Sequence, residues 1–257
     1  MRYLGGLSVL LALAGCHSKS EPPQAPSSGE AVLPSSSASP VPTVTASDPD
    51  PTKAASLWLD RQTEPRQKGK YAPRDACREL PGARAFRERL AAAVEARDAD
   101  AIAAMASPDI RLGFGGEDGR KRFLAALKAP DGKAMKELAE LLPLGCAASE
   151  GRGLTIPWYF AQDFGDLDTY SAMLVTGQDV SLQMEGRGGP VENARVSWDI
   201  VTLPPSGLKP TADNQEVAFH GKVGAIATSE LRSLLDYRLL ANRKGDTWQI
   251  TAFVAGD

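Results

Sequence analysis

The apolar residues change their spacing once along the chain, near Gly153, and that switch limits the fold more than any other feature. Before it, ARAFRERLAAAVEAR (Ala83–Arg97) sets Phe86, Leu90 and Val94 on one stripe at helical spacing, with Arg87, Glu88 and Glu95 elsewhere, which predicts a helix. Asp98 and Asp100 can cap a second helix, Ala101–Ala106, that ends at Ser107-Pro108. Asp109–Phe114 reads as a strand with Ile110 and Leu112 on one face, closed by a turn through Gly115 to Gly119. Further helices are predicted at Arg120–Leu127 and Lys133–Leu142, the second stopped by Pro143.

Beyond Gly153 the period falls to two. Leu154–Ala161, Ser171–Thr176, Asp179–Met184, Ala194–Leu203, Glu216–Phe219, Val223–Ala227, Tyr237–Arg243 and Thr247–Val254 are strand candidates separated by Gly, Pro, Asn or Asp. The last two form the clearest hairpin, around Lys244-Gly245-Asp246, with Trp248, Ile250 and Ala252 on one face. Helices first and strands second predict an α+β fold, with a helical lobe over 72–150 and a β-rich lobe over 151–257.

Residues 1–15 are of a different kind. Arg2 precedes an apolar run, Leu4–Ala14, too short for a bilayer span of about 20 residues and proportioned as an export signal. Leu13-Ala14-Gly15-Cys16 resembles the lipobox of bacterial lipoproteins. The resemblance implies cleavage ahead of Cys16, a diacylglycerol on its sulfur and a lipid anchor in place of a protein one. It places the folded part in the periplasm, with the outer membrane favoured because His17 stands where an aspartate commonly signals retention at the inner membrane. Residues 16–56 are dominated by Ser, Pro, Ala and Thr without apolar periodicity, a composition that cannot offset the entropy of ordering, so the segment is expected to be a disordered tether. Its reach at about 3 Å per residue, where proline stiffens it, would carry the domain well off the membrane.

With Cys16 assigned to lipid, Cys77 and Cys146 remain as an even pair in an exported chain, and a disulfide between them is expected. It would fasten the start of the first helix to the end of the last. A net charge of -3 gives no footprint for nucleic acid, and three cysteines with two histidines give poor material for a zinc, iron–sulfur or haem centre, so no metal or other cofactor is expected. His17 lies in the tether, which leaves His220 for any histidine-dependent catalysis, and no G-x-S-x-G, P-loop or dinucleotide fingerprint accompanies it.

The densest stretch is PWYFAQDFGDLDTY, Pro157–Tyr170. Exposed aromatics there could stack on sugar rings, and Asp163, Asp166 and Asp168 could act as acid and base on a glycosidic bond; the plainer reading is a core strand followed by an acidic loop. The candidate binding surface is therefore Trp158, Tyr159, Asp163, Asp166, Asp168 and Tyr170, with no catalytic residue assigned.

Residues 171–235 resemble a bacterial SH3-like (SH3b) module. Val180, Leu182 and Pro190 match its first strand and long loop, Val196, Trp198 and Val201 its middle strand, and Gly224, Ile226, Ala227, Leu231 and Arg232 its closing strand and turn. Gln183 replaces the usual arginine and Ala225 the usual aromatic after the glycine. The resemblance implies a small antiparallel β-barrel followed by the terminal hairpin. The alternative fold is an NTF2-like, cystatin-like α+β cone, which the helix-first order and that hairpin resemble and which would need Asp109–Phe114 as an early strand of a curved sheet. The function expected is that of a binding or scaffolding module for peptidoglycan or an envelope protein; the alternatives are an envelope hydrolase using the 163–168 aspartates and an assembly partner without a small ligand.

Overall fold

The computed structural model describes residues 68–113, 119–149, 153–186 and 189–256. The segments expected to be an export signal and a tether, with Cys16, lie outside the described residues, as does most of the turn expected at 115–119. In chain order the elements are α1 (Ala83–Glu95), α2 (Ala99–Ala104), β1 (Ala106–Arg111), α3 (Arg120–Leu127), α4 (Lys133–Leu141), β2 (Ala147–Ser149) and β3 (Gly153–Ile156). There follow β4 (Ala172–Val175), β5 (Val180–Gly186), β6 (Gly189–Val196), β7 (Ile200–Thr202), β8 (Asn214–Phe219), β9 (Lys222–Ala227), β10 (Leu231–Ser233), β11 (Arg238–Lys244) and β12 (Thr247–Val254). The fold is α+β. Two open sheets are present, one of five strands in the order β1-β12-β11-β3-β2 and one of seven in the order β10-β4-β7-β8-β9-β5-β6.

The four α-helices among the described residues pack on the five-stranded sheet. Phe86 and Leu90 of α1, Ile102 of α2, Phe123 of α3 and Leu138 of α4 meet Ile110, Leu154, Leu239, Trp248 and Ile250 in one apolar cluster. The stripe that predicts α1 is thus its buried face. Asp98 caps α2 as its side chain accepts from Ala101 N–H at 2.9 Å, but the helix starts at Ala99 and ends at Ala104, two residues before the predicted end. Ala106 already belongs to β1, which runs through Pro108; this is tolerated because β1 lies at the edge of the sheet and pairs on one side only, parallel to β12.

The terminal hairpin forms as expected, β11 against β12, but its place is the middle of the five-stranded sheet, beside β3 and β1, not the seven-stranded one. The physical reason is its apolar face: Trp248, Ile250 and Phe253 fill the surface opposite the helices, and Trp248 also donates its indole N–H to Pro81 C=O at 2.9 Å. The seven-stranded sheet is therefore inserted between β3 and β11. The chain enters and leaves this sheet on neighbouring strands, β4 and β10, which pair antiparallel with Met173 opposite Ser233 at one edge.

The strand expected over Leu154–Ala161 stops at Ile156, where Pro157 removes a donor and a 3-10 turn, Trp158–Ala161, takes over. Ala194–Leu203 divides into β6 and β7 around Trp198, whose backbone is left-handed (φ 42°). Gly224 explains itself: a Cβ there would stand 2.6 Å from Gln183 C=O, where β9 crosses close to β5.

Cys77 and Cys146 are at disulfide distance, S–S 2.01 Å, and tie the segment before α1 to the one after α4. Beside them Asp75 and Arg87 make a buried ion pair at 2.6 Å, with side chains 4% and 2% exposed. Burial lowers the Arg87 pKa and the adjacent Asp75 charge offsets part of that.

Candidate binding surface

The aromatic–acidic stretch is split by the fold. Trp158 and Tyr159 are buried, 7% and 2% exposed, in a second apolar cluster that also holds Tyr71, Leu144, Ala172, Leu174, Trp198 and Leu234. Their assignment to a binding surface is corrected: rings with so little exposed area cannot stack on a ligand, and the turn after Pro157 directs them into the seam between the sheets. Arg74 lies over the Trp158 ring, 4.7 Å from its centroid, and Arg238 over Phe160 at 4.3 Å. Burial pushes the Tyr159 hydroxyl up to about 12, with a hydrogen bond from Arg232 working the other way.

The aspartates are exposed, as is Tyr170 at 70%. Two of them shape their own loop. Asp163 accepts from Gly165 N–H at 2.8 Å and Asp168 from Tyr170 N–H at 3.1 Å, the turn pattern that short acidic side chains favour. Phe164 and Leu167 pack on the second cluster, Phe164 against Tyr71 with ring centroids 5.6 Å apart. The loop is thus pinned from beneath by two apolar residues and within by two carboxylates, and it presents Asp166 and Tyr170 outward. Lys70, exposed and 4.9 Å over the Tyr71 ring, stands near this face; its pKa is raised first by its hydrogen bond with Tyr71, and further by the charges of Tyr71, Asp199 and Asp163, against a small effect of desolvation.

One polar group escaped the sequence reading. Arg232 is known there only as a match to the closing turn of an SH3-like module, yet its side chain is 92% buried at the seam between β10 and α4, given 8% exposure. It pairs with Asp236 at 3.3 Å, faces Glu137 at 3.9 Å, and donates to Tyr237 C=O at 3.3 Å. Glu137 Oε2 and Arg232 Nε are buried without hydrogen-bond partners. Burial and the charge of Asp236 push the Glu137 carboxyl up, against the pull of Arg232. The available signal was weak, an acid one residue before Leu138 on the apolar stripe of α4.

His220 sits in the exposed β8–β9 turn at φ 48°, stacked on Phe219 with centroids 4.0 Å apart. Among the described residues Asp75, Cys77 and Cys146 are close enough to suggest a metal site, but both sulfurs belong to the disulfide and Asp75 is held by Arg87. Also among them, no helix is long and apolar enough to cross a membrane. No protein-family model matches the chain, and no curated protein matches it.

Proposed function

We propose that the protein is a lipid-anchored lipoprotein of the bacterial envelope whose folded part is a binding or scaffolding module for peptidoglycan or an envelope protein. The observation that carries the binding reading is the 162–170 loop, which is braced internally by Asp163 and Asp168, seated on the seam by Phe164, and exposes Asp166 and Tyr170. A braced loop loses little entropy on binding, and tyrosine beside carboxylates suits amides, amines and sugar hydroxyls. The anchor is supported by Leu13-Ala14-Gly15-Cys16 after its apolar run, and the seam-side disulfide fits an oxidising compartment.

The SH3-like reading for the seven-stranded insert is supported by its antiparallel pairing and the close approach at Gly224. For the remainder, an NTF2-like cone is supported by the early strand β1 lying parallel to the final strand β12 at the edge of a helix-covered sheet.

Incubation of the purified protein with peptidoglycan separates the functional alternatives. Co-sedimentation without fragment release, weakened by Tyr170→Ala with Asp166→Asn, is the expected result. Release of soluble fragments would establish a hydrolase instead, and no co-sedimentation would leave an envelope protein as the partner. Metabolic palmitate labelling of the wild type that is lost in Cys16→Ser is expected; no label in the wild type would overturn the anchor, and label persisting in Cys16→Ser would overturn its attachment at Cys16.

A further inference from the structure

A cleft of about 330 Å³ opens at the seam between the two sheets, away from the 162–170 loop. Leu144 and Leu231 give it apolar wall; Glu140, Asp236, Thr176 and Ser229 give it carboxylates and hydroxyls, and Arg232 a guanidinium. Its volume is that of a small-molecule site. The arrangement of charge is unusual for a structural seam. Arg232 is buried and its Nε–H has no acceptor, which is costly unless an anion or other acceptor completes it. Glu140, also on the cleft wall, pairs with Lys136 at 3.6 Å on an exposed helix face, a pair of little strength. Asp236 and Glu137 flank the guanidinium at 3.3 and 3.9 Å and Glu140 adds a third carboxylate to the cleft wall, so the region as a whole favours an added cation.

We propose that this cleft binds a diamino acid of the lysine class. Its α-carboxylate meets the guanidinium of Arg232, its ammonium groups meet Asp236 and Glu140, the hydroxyls of Thr176 and Ser229 accept the remaining ammonium hydrogens, and its methylenes lie on Leu144 and Leu231. A simple anion leaves the acids of the cleft wall unanswered, and a simple amine leaves the Nε–H of Arg232 without an acceptor; a ligand carrying both charges, with net positive charge, satisfies the site. The proposal is independent of the loop-based reading, because it uses different residues.

Equilibrium dialysis of the full-length protein against radiolabelled L-lysine tests it, with lysinamide and norleucine as competitors and glycyl-lysine as a second probe. Saturable binding of lysine is expected, with lysinamide, which lacks the carboxylate, and norleucine, which lacks the side-chain ammonium, each weaker by about tenfold or more. Glu140→Gln, on an exposed helix face, is expected to weaken lysine by a similar factor while leaving norleucine unmoved. Arg232→Gln is avoided because it disturbs the core. Tighter binding of glycyl-lysine than lysine assigns the ligand to a peptide end, and the reverse to a free amino acid. No saturable lysine binding at millimolar concentration, or lysinamide or norleucine competing as well as lysine, overturns the proposal.

Discussion

Asp75 and Arg87 illustrate how much of this molecule rests on single buried contacts. With both side chains almost fully removed from water, neither charge is tolerable without the other. Asp75→Asn is therefore expected to destabilise the protein by about 3–5 kcal/mol, read from urea unfolding; a loss below about 1 kcal/mol would mean that the charge of Arg87 is answered elsewhere. Glu137 is the opposite case, a carboxyl whose folded environment favours its protonated form. The folded state holds that proton more tightly than the unfolded chain does. The contribution is thus fully present below the unfolded value of about 4.3 and is lost as pH rises through the raised folded pKa. Glu137→Gln should melt close to wild type at pH about 4 and gain on it by pH about 7.5. A difference that is the same at both pH values would contradict this assignment. Neither residue stands out in the sequence, where each is one charge among many: the pairing of Asp75 with Arg87 depends on how the chain before α1 folds back, and the environment of Glu137 depends on β10.

Among the elements, the turn Trp158–Ala161 and the disulfide do most to join parts of the chain distant in sequence. Trp158→Ala removes a large ring from the second cluster and is expected to cost about 3–5 kcal/mol, measured by thermal melts, without the selective loss of ligand binding that a surface ring would give. The Cys77–Cys146 bond closes a separation of 69 residues. In the chain-entropy view its removal by paired serine substitution costs about 4 kcal/mol. Mass spectrometry under non-reducing conditions checks the bond, and an unchanged midpoint of unfolding in the serine variant checks its energetic role. The helices were legible at this scale because α1 and α4 each bury one continuous stripe. The 3-10 turn was not, since apolar residues in a run of four to eight look alike whether they extend a strand or turn into a core.

Across the whole molecule, the second apolar cluster joins both sheets: Tyr71, Leu144 and Trp158 come from the part around the five-stranded sheet, Leu174 and Trp198 from the insert. Helical lobe and insert are therefore expected to unfold together. Far-UV dichroism and tryptophan fluorescence should give coincident urea transitions, and two separated midpoints would show that the seam does not couple them.

The chain alone determined what local patterning can determine: the α+β class, the positions of the amphipathic helices, the terminal hairpin, and the expectation that Cys77 and Cys146 pair. These follow from periodicity, turn chemistry and redox environment, all readable within short windows or by counting. Only the tertiary structure decided that the hairpin completes the sheet beneath the helices, that Trp158 and Tyr159 face inward while Tyr170 faces out, and that Arg232, Asp236 and Glu140 line one cleft. Alternation along a strand says which residues share a face, but the choice of the partner that covers that face is made by packing between segments about a hundred residues apart.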